Sequence, residues 1–308
     1  MKLPEELQFI SNSLQPPQTT QARMDGKLCV VTGTTSGIGY LTAKLLARGG
    51  AHLVMVCRNI EKATAVQKEL VDAYGTQVDI VIADFQKLAE VQRAALEIQG
   101  RFHQVNLLIN NVGVFHKRRR LTPDGFEMTF AVDHLASFLL TRLLVENLKQ
   151  GAPSRVLFIS SEAHRFGGFS LKDLNWRKRP FIGLWAYGAA KIAQLQTALV
   201  FAERLKNEGV TVNVVHPGAV RSNIGMNNGF FYRIYKRFIL RWFLKDPALS
   251  AEAIYFLAAD PSMEGITGNY YNLTTEEKPA WYTIRPELRP EVWARTEALV
   301  QPYLEETL

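Results

Sequence analysis

Leu28-Cys29-Val30-Val31-Thr32-Gly33-Thr34-Thr35-Ser36-Gly37-Ile38-Gly39 decides how this chain folds. Its first five residues form a short apolar run, the pattern of a strand covered on both faces. Three glycines follow within seven residues, and a run with helical spacing begins at Gly37. Glycine at such a turn lets the backbone bend sharply and approach a pyrophosphate, which the helix N-terminus attracts. The spacing G-x-x-x-G-x-G differs from G-x-G-x-x-G, so the loop in isolation can also be read as a turn without a ligand. Its place between a strand and a helix favours nucleotide binding through Gly33, Thr35, Ser36, Gly37, Ile38 and Gly39.

The same alternation continues outward. Apolar runs at 28–32, 52–57, 78–83, 106–110, 155–160, 210–216 and 268–272 read as strands. Amphipathic runs at 37–48, 60–74, 87–102, 124–149, 187–207 and 247–259 read as helices. This pattern predicts an α/β fold, a parallel sheet of about seven strands with helices on both faces. No repeat, low-complexity tract or linker divides it. Residues 26–308 therefore read as one domain behind a loosely ordered N-terminal arm, residues 1–25.

The composition suits that reading, because 308 residues with 47% hydrophobic side chains can bury a full core. A net charge of +7 favours anionic partners: a phosphorylated cofactor, an acidic membrane or nucleic acid. Nucleic acid ranks last, since zinc-finger spacing and RNA-binding signatures are absent from the sequence. Cys29 and Cys57 each sit in an apolar run and read as buried reduced thiols, not as a disulfide or a metal site. The arm lacks the apolar core of a signal peptide, and no window reaches the ~18 apolar residues of a membrane span. The expectation is a soluble, cytoplasmic chain whose membrane contact, if any, is peripheral.

Two further stretches carry chemistry. Dinucleotide-binding units hold the ribose 2′-hydroxyl with an acidic residue about 20 positions after the glycines. Here the second strand ends in Cys57-Arg58-Asn59, with no carboxylate. Arg58 is placed to grip a 2′-phosphate, which favours NADP(H) over NAD(H); the alternative is a solvated charge at a loop edge. Tyr187-Gly188-Ala189-Ala190-Lys191 sets a phenol and an ammonium four residues apart on one helical face. The lysine charge favours the ionised form of a phenol that otherwise titrates near ~10. Such a phenol can exchange a proton with an alcohol or carbonyl oxygen. Tyr232-Arg233-Ile234-Tyr235-Lys236 repeats the spacing, so spacing alone proves little.

Five segments in order resemble the short-chain dehydrogenases/reductases, and within them the retinol dehydrogenase-like branch. They are Thr32–Gly39, Asn110-Asn111-Val112-Gly113, Val156–Ser161, Tyr187–Lys191 and His216-Pro217-Gly218-Ala219-Val220-Arg221-Ser222. The resemblance covers nearly the whole chain and implies a single-domain, Rossmann-type doubly wound sheet. It implies Tyr187 as general acid or base, Ser161 as hydrogen-bond partner of the substrate oxygen, and Lys191 on the nicotinamide ribose. Ser160 is the fallback for Ser161, since neighbouring strand residues face opposite ways. Asp84 would sit by the adenine, Asn110 and Gly113 would line the cofactor cleft, and Pro217, Gly218, Val220 and Ser222 would flank the nicotinamide. The 26 positions from Ser161 to Tyr187 resemble an insert of that branch.

Asp133 departs from the pattern, where asparagine is usual and is thought to support a water and a helix irregularity beside the lysine. Its charge would offset the lysine's pull on Tyr187 and raise the phenol's pKa. Val112, where alanine is usual, is a milder change.

The stretch 230–245 has the pattern of a basic amphipathic helix, with Arg233, Lys236, Arg237, Arg241 and Lys245 on one half and mainly aromatic side chains on the other. It reads as a membrane-surface contact, as part of a cover (223–247) over an apolar substrate, or as a core helix with solvated charges. Lys117-Arg118-Arg119-Arg120 steers an anionic cofactor or membrane, or is simply solvated. The leading expectation is an NADP(H)-dependent oxidoreductase acting on a lipophilic alcohol, aldehyde or ketone, with a second copy of the chain as a further candidate partner. The competing reading is a nucleotide-binding scaffold or sensor whose catalysis is weakened, with Asp133 in its favour.

Overall fold

The computed structural model describes residue 12 and residues 15–218 and 246–305. All seven expected strands form: β1 (Leu28–Thr32), β2 (His52–Cys57), β3 (Val78–Ile82), β4 (Leu107–Asn110), β5 (Ser154–Ile159), β6 (Val210–His216) and β7 (Tyr270–Asn272). An eighth, β8 (Thr275–Glu276), folds back antiparallel on β7; two residues are too few to show a periodicity. The order is β3-β2-β1-β4-β5-β6-β7-β8, and β1 to β7 pair in parallel.

Helices cover both faces. On one side lie α1 (Gly37–Arg48), α2 (Ile60–Tyr74) and α6 (Pro247–Ala259). On the other lie α3 (Leu88–Arg101), the helical run α4 (128–150), α5 (Gly183–Leu205) and α7 (Arg289–Val300). Side chains of β1 alternate between the two cores, with Leu28 and Val30 under α3–α5 and Cys29 and Val31 under α1 and α6. Burial on both faces is why β1 reads as an unbroken apolar run. Both cysteines are buried and free.

Two local expectations change. The run read as one helix at 124–149 starts at Met128, because the Glu127 carboxylate caps it by accepting from Thr129 N and Phe130 N. It then passes through a π turn, Ala131–Leu135, before resuming as Ala136–Leu143 and Val145–Gln150. The arm, read as loosely ordered, is tied down over residues 15–25. Met24 N donates to Gly49 O, Tyr255 donates to Ala22 O, and Gln18 N donates to Thr274 Oγ1.

Strand order reverses between β1 and β4. The crevice outside the carboxyl ends of parallel strands at such a reversal is where this architecture takes ligands. The loops that follow β1, β4, β5 and β6 all open there.

Candidate active site

The glycine loop after β1 is shaped by close approach. Gly33 has φ +74°, and a Cβ there would come within 3.0 Å of Val112 Cγ2. A Cβ on Gly39 would lie 2.3 Å from Gly33 O and 2.4 Å from Asn111 Nδ2, so only glycine lets α1 start against the loop. Gly37, at φ +62°, faces open space. Ser36 precedes α1 without capping it by side chain, which leaves the first-turn N–H groups available to an anion. Thr35 and Ile38 complete the loop, half-buried and buried.

Asn111 holds this loop in place, although sequence reasoning singled out Asn110 and Gly113 instead. Its Nδ2 donates to Thr32 O at 2.9 Å, and its backbone N donates to Thr32 Oγ1 at 2.9 Å. Asn110 faces the other way, donating to Thr141 Oγ1 at 2.9 Å while its buried Oδ1 has no partner. The available signal was the Asn-Asn pair at a strand end, where consecutive side chains serve opposite faces.

Arg58 is exposed just past β2. Asp84 lies two residues beyond β3, half-buried, and its carboxylate closes a turn by accepting from Gln86 N at 3.1 Å. Pro217 and Gly218 leave β6, Gly218 at φ +80°, and Pro217 O accepts from Ser250. Val220, Ser222 and the amphipathic stretch 230–245 lie outside the described residues.

Ser161 and Tyr187 meet. Ser161 lies near enough to Tyr187 for its hydroxyl to act on the phenol, and its Oγ accepts from Ala163 N at 3.2 Å. Ser160 is buried, pointing its hydroxyl elsewhere and without a partner. Phe115 stands edge-on to the Tyr187 ring, with centroids 5.9 Å apart. Lys191 lies one turn further along α5 and is almost wholly buried, at 2% exposure. Its ammonium donates to Ile159 O at 2.9 Å and Gln194 Oε1 at 3.4 Å, and pairs with Asp133 Oδ2 at 3.3 Å.

The π turn puts Asp133 there. Asp133 is fully buried, and its Oδ1 accepts from Val114 N at 2.7 Å. Its backbone carbonyl accepts from Gln194 Nε2 at 2.9 Å and Ser137 Oγ at 3.1 Å. Gly113 passes close enough that a Cβ would stand 3.2 Å from Asp133 Oδ2. Burial raises the Asp133 pKa, against the pull of Lys191 and the Val114 N–H. The Tyr187 phenol lies above its ordinary range: burial is the main cause and Asp133 adds to it, while the Ser161 hydroxyl acts the other way. The sequence reading expected the lysine to lower this phenol and the Asp133 charge to offset that pull. In the structure the ammonium is matched by Asp133, and the phenol stays protonated through the neutral range.

A family model described as short chain dehydrogenase matches residues 27–230. The chain belongs to the short-chain dehydrogenase family. Human retinol dehydrogenase 13 is 35% identical over 286 residues, covering 91% of this chain and 86% of the relative. Human retinol dehydrogenase 11 is 36% identical over 258 residues, covering 82% and 79%. A short chain dehydrogenase from Burkholderia cenocepacia J2315, solved in complex with NADP, superposes with a TM-score of 0.65 at 25% identity, over 81% of this chain and 97% of the other. This dehydrogenase is thus an oxidoreductase similar to the retinol dehydrogenases. No described helix is long and apolar enough to cross a membrane.

Proposed function

We propose that this dehydrogenase moves a hydride between NADP(H) and the carbon of a lipophilic alcohol, aldehyde or ketone, with Tyr187 as general acid and base. The observation that carries it is the placement of Ser161 beside Tyr187 with Lys191 one helical turn on, at the same sheet end as the glycine loop. Ser161 holds the substrate oxygen. Tyr187 gives that oxygen its proton in reduction and takes it back in oxidation. The protonated phenol suits donation to a carbonyl.

The chain's own groups fit a dinucleotide. Gly37 leaves the approach to the α1 N-terminus open, and the buried Asn110 Oδ1 at the end of β4 is without a hydrogen-bond partner. When bound, the nicotinamide supplies the hydride acceptor or donor. Arg58, exposed past β2, would pair with the 2′-phosphate, and the NADP complex of the Burkholderia relative supports that choice. Asp84, Gly113, Pro217, Gly218, Val220 and Ser222 are assigned to the same cofactor, and Lys191 to its ribose.

A lipophilic substrate is supported by the names of the relatives, by Phe115 against Tyr187, and by Trp185 and Leu184, which stand exposed on the first turn of α5. Residues 223–247 are assigned as the cover of the substrate side. The test is NADPH and NADH oxidation with retinaldehyde, steroid ketones, quinones and medium-chain aldehydes, with Tyr187→Phe as control. Turnover is expected with NADPH and at least one of these. The control should lose about 10²-fold or more in kcat, the scale of general acid–base catalysis. Full activity in Tyr187→Phe would remove the mechanism. The second reading, a cofactor-binding scaffold weakened by Asp133, predicts NADPH binding without turnover across the whole panel.

A further inference from the structure

Ser161 opens a short 3₁₀ turn, Glu162–Phe166, that is gripped from two sides. On one side it lies directly on α5, one residue past Tyr187. A Cβ on Gly188 would come 2.3 Å from Ala163 O, and one on Gly167 would come 2.5 Å from the Gly188 carbonyl carbon. Backbone therefore touches backbone. On the other side the turn meets the segment after β8 through His164, which is completely buried.

Both imidazole nitrogens of His164 are engaged. Nδ1 lies 2.8 Å from Ser161 O, and a carbonyl oxygen only accepts, so Nδ1 carries the proton. Ala280 N donates to Nε2 at 3.3 Å, so Nε2 carries the lone pair. These partners assign one neutral tautomer. Burial, which keeps the imidazole pKa below its ordinary value, agrees with that state. The ring is further enclosed by Tyr270, edge-on at 5.1 Å, whose hydroxyl donates to Glu162 Oε1 at 2.9 Å. Arg165 bridges Glu162 and Glu277, the second at 2.5 Å.

We infer that His164 is a positioning residue for the reaction: by joining the Ser161 carbonyl to Ala280, it fixes the serine backbone so that the hydroxyl meets Tyr187. This rests on the reading of Ser161 as the group that orients the substrate oxygen. The requirement is strict on both sides. The Gly167–Gly188 contact sets how deep the turn sits, and Tyr270 and the Arg165 bridge hold the side chains of Glu162 and Arg165. The Ser161 carbonyl itself accepts from His164 N at 3.2 Å within the turn and from His164 Nδ1, and the imidazole alone ties that carbonyl on to Ala280. A reacting group displaced by about 1 Å can cost about 10²-fold in rate, so a small shift has a kinetic consequence.

Two amide substitutions divide the two bonds. His164→Asn carries an amide nitrogen near the Nδ1 position and can still donate to Ser161 O. His164→Gln reaches the Nε2 position and can accept from Ala280 N, but loses the bond to the serine. Each is assayed with the fastest carbonyl compound of the panel, alongside NADPH affinity by tryptophan quenching and thermal melting. The expected result is a kcat lower by at least about tenfold in His164→Gln, with NADPH affinity unchanged, and a kcat within about threefold of the parent in His164→Asn. Equal kcat in both variants, at the parent level or lowered together with NADPH affinity, would overturn the inference. Ser161→Ala separates the layers. If that variant keeps full kcat, the reading of the serine fails whatever His164 does. If it is inactive while both His164 variants match the parent, only the role of His164 fails.

Discussion

At Asp133 a single carboxylate changes the electrostatics of the whole site. It is fully buried, 3.3 Å from the Lys191 ammonium, and it counteracts the one charge that would pull the Tyr187 proton away. The sign of its effect follows directly. An Asp133 anion and a Tyr187 phenolate repel, so the aspartate keeps the phenol protonated to higher pH. Asp133→Asn keeps an acceptor for Val114 N and drops the charge. Alcohol oxidation, which needs the phenolate as base, should then have its rising pH limb moved to lower pH, read from kcat/KM profiles of the two proteins. An unmoved limb would show that Asp133 carries no charge that Tyr187 feels. Asp133 was legible as a departure from a pattern. Its distance to Lys191 was not, because the two residues lie 58 positions apart and only packing brings them together.

At the scale of elements, two glycines do work that no other residue can. Gly39 sits where α1 begins against Gly33 O. Gly39→Ala would press a methyl to 2.3 Å from that oxygen and spread the loop from the Asn111 clamp. NADPH affinity measured by fluorescence titration is expected to fall at least about tenfold, the loss of roughly one charge-assisted hydrogen bond. Gly188 lies inside the Tyr187–Lys191 helix turn, where Gly188→Ala would meet Ala163 O at 2.3 Å. The expected outcome is the reverse division: NADPH affinity retained and kcat reduced about tenfold or more, because the serine turn is pushed off α5 while the glycine loop is untouched. The π turn of α4 belongs to this scale too. It was unreadable from periodicity, since one extra residue in a helical run barely disturbs an apolar pattern of 3.6 residues.

Across the fold, the helix α7 is anchored to the core chiefly through one aromatic side chain, Trp293. Trp293 stands edge-on between Phe138 of α4 and Phe201 of α5, with ring centroids 4.9 and 4.8 Å away. His134 Nε2 and Thr296 Oγ1, 2.9 Å apart, add a buried polar link between the same elements. Trp293→Ala should cost about 3–5 kcal/mol in denaturant unfolding, the usual penalty for emptying a large buried aromatic site. A loss under about 1 kcal/mol would mean that α7 packs independently of that ring.

The signals legible in the amino-acid order were local and periodic. Apolar runs alternating with amphipathic ones placed seven strands and most helices, because side-chain burial repeats with the element that carries it. The glycine loop and the Tyr187–Lys191 pair were legible for the same reason, since the backbone or helix geometry they need is complete within a few residues. What those pieces face is set by long-range packing. Asn111 clamps a loop nearly eighty residues away, Asp133 reaches Lys191, and His164 joins Ser161 to Ala280 across 116 positions. Each contact is a matter of which strand ends share one crevice, and strand order is set by the packing of both cores together.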